Sequence, residues 1–358
     1  MKVSDNRYFQ EDIENAAAST APDWEQFRGK SILVTGSTGL LGSQLVLTLL
    51  MANEQKSLGL KVYALVRSEE KAKKVFSFID SDDLVIVKGD VMNELDIDAD
   101  IDFIIHAANP TSSKYFVEHP VETVKATVGG TENVLKLAVK KNITSMVFLS
   151  SLEVYGVVKE GNDSVCEDSF GYIDLTSARS SYSEGKRMAE TFCACYASQY
   201  GVPVKTARLC QSFGSGVDYN DGRVFAQFAR AVIEGKDIVL KTDGSTERNY
   251  SYISDAIAGI LTVLTKGKTG EAYNIANENS GITIRDMAQL YCDNFSGGRS
   301  KVVFDIAEDA TKLGYNPKMK ILLNTSKLRA LGWEPKVGLV ETFERLVESM
   351  KLDRPTEG

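Results

Sequence analysis

Histidine and cysteine are both scarce in this chain of 358 residues, which contains two histidines and five cysteines. No two cysteines have the C-x-x-C spacing, and two histidines are too few for a histidine-rich metal site. We therefore predict no bound metal. The odd number of cysteines favours reduced thiols and a cytoplasmic location over a disulfide framework.

Long apolar runs are also missing, since no stretch approaches the roughly 18 residues that a membrane span requires. The polar and acidic N-terminus does not have the pattern of a signal peptide. Basic residues are outnumbered, and the net charge of −8 disfavours a nucleic-acid-binding surface. We therefore predict neither a nucleic-acid nor a membrane partner.

What the chain does contain is an alternation of short apolar segments with helical patterns. Its 43% hydrophobic and 25% charged residues are ordinary globular values. Strands that are apolar on both faces and alternate with helices indicate an α/β fold with a doubly wound parallel sheet. Beyond residue 212 we expect loops and isolated helices. The predicted strands are 31–35, 62–66, 84–87, 103–106, 146–149 and 204–209, and the predicted helices include 10–18, 120–141 and 181–200.

The segment Tyr182-Ser183-Glu184-Gly185-Lys186 lies 31 residues after Ser151. A tyrosine and a lysine four positions apart share one face of a helix. A phenol has a pKa of about 10, but a nearby ammonium favours the phenolate, so that the pair can move protons near neutral pH. Ser151, at a predicted strand end, could share the substrate oxygen. These residues predict deprotonation of an alcohol while a hydride leaves its carbon.

A glycine-rich loop lies between the first strand and a helix, with the spacing G-x-x-G-x-x-G. Its glycines let backbone amides approach a pyrophosphate, and the helix N-terminus favours the negative charge. We therefore predict a dinucleotide site. Its residues are Gly36, Ser37, Thr38, Gly39, Leu40, Leu41 and Gly42.

The second strand ends in Arg67, where a carboxylate would bind a ribose 2′-hydroxyl and repel a 2′-phosphate. Because an arginine can pair with that phosphate, Arg67 favours NADP(H) within a general prediction of NAD(P). The alternative is a solvated arginine. Asp90, at the end of the third strand, could hydrogen-bond the adenine amine or cap a helix.

Five motifs together resemble the extended short-chain dehydrogenase/reductase family, specifically its nucleotide-sugar epimerases, dehydratases and decarboxylases. The resemblance runs from about residue 30 to about residue 350 and implies a Rossmann sheet. It also implies that Val91, Ala107, Ala108, Tyr182 and Lys186 contact the cofactor. The motifs are Thr35–Gly42, His106–Ala108, Ser150–Gly156, Tyr182–Lys186 and Leu331–Pro335.

The expected chain has a large sheet domain and a smaller C-terminal α/β substrate-binding lobe. Its divisions are an N-terminal arm at 1–29, the Rossmann domain at 30–212 with 247–275 returning to it, the lobe at 213–246 and 276–350, and a tail at 351–358. By resemblance, the helices near 120–141 and 181–200 would pair in a homodimer. His106 is expected to pack structurally under the cofactor loop.

Residues 179–230 look most like UDP-glucuronate decarboxylases. The resemblance implies a hydride relay in which Tyr182 deprotonates a sugar hydroxyl, Lys186 lowers the tyrosine pKa and holds the ribose, and Ser151 binds the developing ketone. The keto-sugar then epimerises, loses water or loses carbon dioxide. Glu153, as a fourth catalytic residue, would act as a base or assist loss of a carboxyl group, although a structural glutamate is the alternative.

Several positions depart from individual subclasses. Leu152 cannot protonate a leaving hydroxyl as the aspartate of sugar 4,6-dehydratases does, and decarboxylases usually have a small hydroxyl residue there. Gln211 stands where the family usually has an asparagine that touches the sugar. Arg248 matches the arginine that grips the substrate diphosphate. Arg223 would help to bind the nucleotide end, with a solvated arginine as the alternative.

The leading hypothesis is an NAD(P)-dependent enzyme that modifies a nucleotide-diphosphate sugar through a 4-keto intermediate. Arg67 supports a second hypothesis, an NADPH-dependent reductase of a nucleotide-linked keto-sugar. A cofactor-binding regulator without catalysis is a third, which the intact Ser151, Tyr182 and Lys186 disfavour.

Overall fold

The computed structural model describes residues 1–158, 164–306 and 319–355. Its strands and helices mostly alternate as far as Leu209, except that the fourth strand follows the third directly and the fifth α-helix follows the fourth, and shorter strands are interspersed with helices beyond that point. The strands are β1 Ser31–Thr35, β2 Lys61–Val66, β3 Leu84–Lys88, β4 Phe103–His106, β5 Ser145–Ser151, β6 Val204–Leu209, β7 Gln211–Phe213, β8 Ile238–Leu240, β9 Glu247–Tyr252, β10 Ala272–Ile275, β11 Asn277–Thr283, β12 Val302–Phe304 and β13 Lys320–Ile321. The α-helices are α1 Arg7–Ala17, α2 Leu40–Lys56, α3 Glu69–Val75, α4 Ser113–Glu118, α5 Pro120–Lys141, α6 Ser180–Tyr200, α7 Val224–Glu234, α8 Ile253–Lys266, α9 Ile284–Phe295, α10 Ser326–Arg329 and α11 Leu339–Leu352.

Seven strands form one parallel sheet in the order β10-β6-β5-β4-β1-β2-β3. The apolar cluster on one face includes Val134 of α5 and Ala189 of α6, while the opposite face is covered by α2 and α8. This arrangement confirms the predicted doubly wound sheet. The strand order reverses next to β1. The segments that follow β1 and β4 therefore leave the sheet in opposite directions, and a crevice lies between them at the carboxyl ends of these strands.

The six predicted strands are all present, and the predicted helix 120–141 has the bounds of α5. Pro120 begins this helix at a position where a missing amide proton is not needed, and Asn142 ends it in a left-handed conformation. The expectation of only loops and isolated helices beyond residue 212 was wrong. Strands of two to seven residues occur there, too short and too polar to produce a clear alternation.

The smaller strands form two further sheets. Strand β9 lies between β11 and β13 and also pairs with β7, while β12 pairs with β8. A separate apolar cluster, which includes Phe213, Phe225 and Phe343, packs α7, α9 and α11 together. Within 247–275, α8 packs on the seven-stranded sheet and β10 forms its edge, whereas β9 belongs to the smaller sheet. The domain bounds themselves stay a prediction.

The N-terminal segment 1–29 contributes to the main core. Helix α1 packs against α2, α8 and α11, and Ile13 and Phe27 are fully buried. Buried Asp12 accepts a hydrogen bond from the Tyr252 hydroxyl at 2.6 Å and forms an ion pair with Arg345 at 2.9 Å. These contacts tie the segment to both β9 and α11. The C-terminal tail is described only as far as residue 355.

None of the helices in the described ranges combines the length and the apolar character needed to cross a membrane. The same ranges contain no group of three or more histidine, cysteine, aspartate or glutamate side chains arranged to hold a metal ion.

Candidate active site

A cleft of about 1080 Å³ lies at the carboxyl ends of the central strands. The glycine loop after β1 lines one end, and Ser151 and Tyr182 line another part of the same cleft. In open parallel sheets, ligands bind at this edge where the strand order reverses. The described residues that were predicted to bind a cofactor or substrate are therefore brought together by the topology.

The glycine loop is shaped by two close backbone approaches. Gly36 has φ +67°, and a Cβ there would lie 2.8 Å from the Ala107 backbone. A Cβ on Gly42 would lie 2.1 Å from the Gly36 carbonyl oxygen. Only glycine fits both positions, which leaves backbone amides open to the cleft before α2 begins. This cradle fits a dinucleotide pyrophosphate.

Six of the seven predicted loop residues line the cleft, and Ser37 does not. The Ser37 side chain is fully buried, and its hydroxyl donates to the Val34 carbonyl at 2.6 Å. This side chain closes the turn of the loop. Ala107, Ala108 and Val91 also line the cleft, as predicted.

His106 lies beneath the loop and is completely enclosed. Its Nδ1 is 2.8 Å from the Thr35 hydroxyl, which accepts from the amides of Ala107 and Ala108 at 3.2 Å each. That hydroxyl therefore donates to Nδ1, and Nε2 faces Thr131 at 3.2 Å. Burial and the Lys186 charge lower the His106 pKa to about 3, so the ring is neutral and structural as expected.

Arg67 follows β2, lines the cleft and is exposed. Ser68 and Lys71 line the same region. Among the described residues, none forms a hydrogen bond or ion pair with the Arg67 side chain. Asp90 lines the cleft, and its carboxylate also accepts from the Met92 amide at 3.0 Å. Two cationic side chains, Arg67 and Lys71, therefore line this part of the cleft, and the residue that follows β2 is not a carboxylate.

Ser151, Tyr182 and Lys186 are assembled where β5 ends against α6. Burial, together with the negative charge of Glu153, raises the Tyr182 pKa, and the neighbouring Ser151 hydroxyl opposes that rise. The Lys186 ammonium donates to the Leu149 carbonyl at 2.6 Å and lies 5.9 Å from the Tyr182 ring centroid. Burial lowers the Lys186 pKa to about 7. The lysine therefore changes its charge near neutral pH, close to the Tyr182 ring.

Glu153 lies beside this cluster but is engaged on both oxygens. Arg179 donates to one oxygen at 2.9 Å, and the Ser183 hydroxyl donates to the other at 3.1 Å. Burial opposes ionisation, but Arg179 and the more distant Arg248 outweigh it and hold the Glu153 pKa below its ordinary value. The carboxylate is therefore ionised and oriented.

The three predicted substrate residues all line the cleft. Arg248 is buried, one guanidinium nitrogen contacts the Met319 sulfur at 3.1 Å, and its Nε has no hydrogen-bond partner. Arg223 is paired with Asp221 at 2.6 Å. Gln211 is half-buried at the start of β7. Arg248 is thus the better placed of the two arginines to receive an anionic group.

Leu152 lines the cleft but is almost fully buried in an apolar cluster with Val154 and Leu323. Its side chain offers no proton to a leaving group. This environment agrees with the departure seen in the sequence.

Two contributors were missed by sequence reasoning. Arg179 lies one helical turn before Tyr182, a spacing that could have indicated a shared face. Phe116 of α4 stacks on the Tyr182 ring with centroids 4.2 Å apart and an interplanar angle of 9°. No local sequence pattern indicates this contact, because α4 and α6 are far apart along the chain.

The parallel sheet, the glycine cradle and the Ser151–Tyr182–Lys186 cluster together define a dinucleotide-dependent enzyme of the short-chain dehydrogenase/reductase type. Residues 32–276 match the NAD dependent epimerase/dehydratase family. The chain belongs to this family, which confirms the predicted resemblance.

Curated relatives support the same assignment. UDP-glucuronic acid decarboxylase 1 of Danio rerio is 30% identical over 321 residues, covering 89% of this chain and 72% of the relative. UDP-glucuronic acid decarboxylase 6 of Arabidopsis thaliana is 30% identical over 325 residues, covering 90% of this chain and 89% of the relative.

Solved structures share the fold. A UDP-glucuronic acid 4-epimerase from Bacillus cereus, in complex with UDP-glucuronic acid and NAD, has a TM-score of 0.74 at 23% identity. That alignment covers 90% of this chain and 99% of the epimerase. A dTDP-glucose 4,6-dehydratase from Streptomyces venezuelae has a TM-score of 0.74 at 23% identity, with coverages of 90% and 98%.

Proposed function

We propose that this enzyme modifies a nucleotide-diphosphate sugar by hydride transfer at a ring carbon, through a 4-keto intermediate. The observation that carries the proposal is the position of Ser151, Tyr182 and Lys186 in the same cleft as the glycine cradle. A nicotinamide cofactor bound along that cradle supplies the hydride acceptor. The relatives of 30% identity, which are named for decarboxylation of UDP-glucuronic acid, support this substrate class.

The protein residues manage the proton and the substrate oxygen. Tyr182 takes the proton of a sugar hydroxyl, and Ser151 hydrogen-bonds the oxygen as it becomes a ketone. Lys186, whose pKa is about 7, supplies positive charge beside the phenol in its protonated form. The buried Arg248 guanidinium binds the diphosphate, and Gln211 contacts the sugar.

Among the possible outcomes for the keto-sugar, we favour decarboxylation or epimerisation over dehydration. Leu152 has no proton for a leaving hydroxyl and is packed among apolar side chains. Glu153, ionised and tied to Arg179, cannot replace that acid. A uronic acid substrate needs no such leaving-group proton when it loses carbon dioxide.

A second candidate, the NADPH-dependent reduction of a nucleotide-linked keto-sugar, is favoured by the adenosine end of the cleft. Arg67 and Lys71 both line that end, and the exposed Arg67 guanidinium is available for a 2′-phosphate. We accordingly propose NADP(H) as the preferred cofactor. Its reduced form would suit net reduction, whereas an enzyme that recycles its hydride needs the oxidised form.

We also propose a cytoplasmic homodimer that pairs α5 and α6 with their mates. Exposed apolar side chains on these helices support this arrangement, since Val121, Val124 and Met188 are between 40% and 57% exposed. Isolated exposed apolar residues are common, but three on adjacent helices favour a covered face.

The purified enzyme should be incubated separately with UDP-glucuronic acid, UDP-glucose and dTDP-glucose, each with NAD and with NADP, and the products analysed by mass spectrometry. We expect UDP-glucuronic acid to lose carbon dioxide or to give an isomer of unchanged mass. Loss of water would contradict the argument from Leu152. Turnover only of a keto-sugar with NADPH would establish the second candidate, and no turnover of any of these compounds would reject the proposed function.

A further inference from the structure

Two successive residues at the end of β5 are hydrogen-bonded to α6. The Leu149 carbonyl accepts from the Lys186 ammonium at 2.6 Å. The Ser150 hydroxyl donates to a carboxylate oxygen of Glu190 at 2.5 Å. On α6, Tyr182, Lys186 and Glu190 follow one another at intervals of four, which keeps them on one helical face.

Glu190 is held from a second strand as well. Arg208 of β6 donates to both of its carboxylate oxygens, with Nε at 3.0 Å and Nη2 at 2.7 Å. The side chains of Arg208 and Glu190 are only 5% and 12% exposed. A buried bidentate pair of this kind has a single well-defined geometry. Glu190 therefore connects α6 to β5 and β6 at once.

Arg208 is itself fixed by further contacts. Its Nη1 donates to the Tyr155 hydroxyl at 3.0 Å and to the Glu167 carbonyl at 2.5 Å. The Tyr155 hydroxyl then donates to Asn274 of β10 at 2.5 Å. The clamp on Glu190 thus reaches three neighbouring strands of the sheet, so it can hold the helix in one register.

Among the described groups that face Lys186, the carboxylate is that of Glu190. On α6 they are Glu190, the Tyr182 phenol and the Cys193 thiol, and burial raises the pKa values of the phenol and the thiol. From β5 come the Phe148 ring, 4.5 Å away, and the Leu149 carbonyl. From β4 comes the neutral ring of His106.

We infer that Glu190 is a positioning residue of this site, which holds α6 in register with the end of β5 and keeps a negative charge beside Lys186. Its carboxylate accepts four hydrogen bonds, one from Ser150 and three from Arg208, and Glu190 itself does not line the cleft. Through Lys186 and Tyr182 it sets the pH range in which the site works. This inference rests on the proposed function for its activity readout only.

The test compares the wild type with Glu190→Gln, which keeps the shape of the side chain but removes its charge. The first readout is the affinity for NADP and NAD, measured by fluorescence between pH 5.5 and 9 without any sugar. In the wild type, affinity should fall as pH rises and Lys186 loses its proton. In Glu190→Gln the fall should start about one pH unit lower, with roughly tenfold weaker binding at pH 7.5.

Glu184→Gln is the matched control, since Glu184 lies on the same helix and pairs with Arg187 at 3.1 Å. Its pH profile should coincide with that of the wild type. If Glu190→Gln is not folded by circular dichroism, Ser150→Ala replaces it, because that change removes one bond to the carboxylate and no charge. A shift in the same direction of about threefold in affinity is then expected.

The second readout is the pH profile of turnover, in which the alkaline limb should move to lower pH together with the binding profile. Profiles of the folded variant that coincide with the wild type in both readouts would overturn the inference and leave Glu190 a purely structural residue. A wild type that binds cofactor but turns over no nucleotide sugar would instead reject the proposed function, while the binding profiles would still decide the role of Glu190.

Discussion

Arg179 donates to Glu153 at 2.9 Å in an ion pair whose side chains are 17% and 18% exposed. This pair changes the interpretation of Glu153. Sequence resemblance predicts a carboxylate that acts as a base, but a base must have an oxygen open to the substrate proton. The Ser183 hydroxyl occupies the second oxygen at 3.1 Å. Glu153 is therefore suited to orient Arg179 and Ser183 and to balance the charge of Arg179.

Replacing Glu153 with glutamine should destabilise the protein by about 2–4 kcal/mol, because it leaves the Arg179 charge largely buried and unpaired. Thermal and urea unfolding would measure this loss. Glu184→Gln breaks a more exposed pair with Arg187 on the same helix and should cost under about 1 kcal/mol. Equal losses in the two variants would contradict the importance of the Glu153–Arg179 pair.

Tyr182→Phe should reduce turnover by at least about 100-fold, because it removes the proton acceptor at the reacting oxygen. Cofactor binding and the melting temperature should change little, since the ring and its stacking on Phe116 are retained. Tyr196→Phe, on the same helix but away from the cleft, serves as the control and should keep full activity. Undiminished turnover in Tyr182→Phe would reject the proposed mechanism.

Gly42→Ala should weaken dinucleotide binding at least about tenfold and destabilise the fold by about 1–3 kcal/mol, since its Cβ would lie 2.1 Å from the Gly36 carbonyl oxygen. Gly129→Ala provides the comparison. No atom lies within 4 Å of a Cβ at that position, so alanine should be neutral or stabilising by up to about 1 kcal/mol. Calorimetric titration with cofactor and thermal unfolding distinguish the two sites, and similar behaviour of both variants would count against the cradle.

Arg67→Glu should lower affinity for NADP by about 10- to 100-fold and leave affinity for NAD within a factor of about three, because it replaces the proposed partner of the 2′-phosphate with a like charge. Lys73→Glu makes the same change of charge on the neighbouring α3, outside the cleft. Fluorescence titration with both cofactors measures the ratio. A wild type that prefers NAD, or a ratio unaffected by Arg67→Glu, would refute the proposed preference.

Met188→Glu should convert the proposed dimer to monomer, since it introduces a charge into an apolar contact between α6 and its mate. Light scattering coupled to size-exclusion chromatography gives the mass directly. Val340→Glu, on α11 where Val340 is 49% exposed, should leave the mass unchanged. A wild-type monomer, or a dimer insensitive to Met188→Glu, would disprove pairing through these helices.

Local sequence patterns predicted six of the seven strands of the main sheet and missed β10, because most of these strands are short apolar runs bordered by turn or helix signals. The helix 120–141 was predicted with the correct bounds since Pro120 marks its start clearly. The glycine loop was recognisable for a similar reason. Its function depends on backbone geometry. Only glycine fits at positions 36 and 42, because a Cβ at either position would collide with neighbouring backbone atoms.

The smaller sheets and the role of residues 1–29 could not be predicted in the same way. Strand β13 has two residues, and it exists because β9 provides a pairing partner. Asp12 lies within the predicted helix 10–18, and the structure buries it between Tyr252 and Arg345. Such contacts join segments separated by hundreds of residues, so the local periodicity of the sequence cannot predict them.

The sequence by itself determined the family, the parallel sheet, the proposed cofactor cradle and the proposed catalytic residues Ser151, Tyr182 and Lys186, because each depends on residue types at short, regular spacings. The Tyr182–Lys186 spacing, for example, needs only a helix to bring both side chains to one face. Only the tertiary structure decided that Glu153 forms an ion pair with Arg179, that Leu152 is enclosed by apolar neighbours and that Glu190 forms an ion pair with Arg208. Charge state and orientation at a site depend on what surrounds each group in space, and packing brings those neighbours from distant parts of the chain.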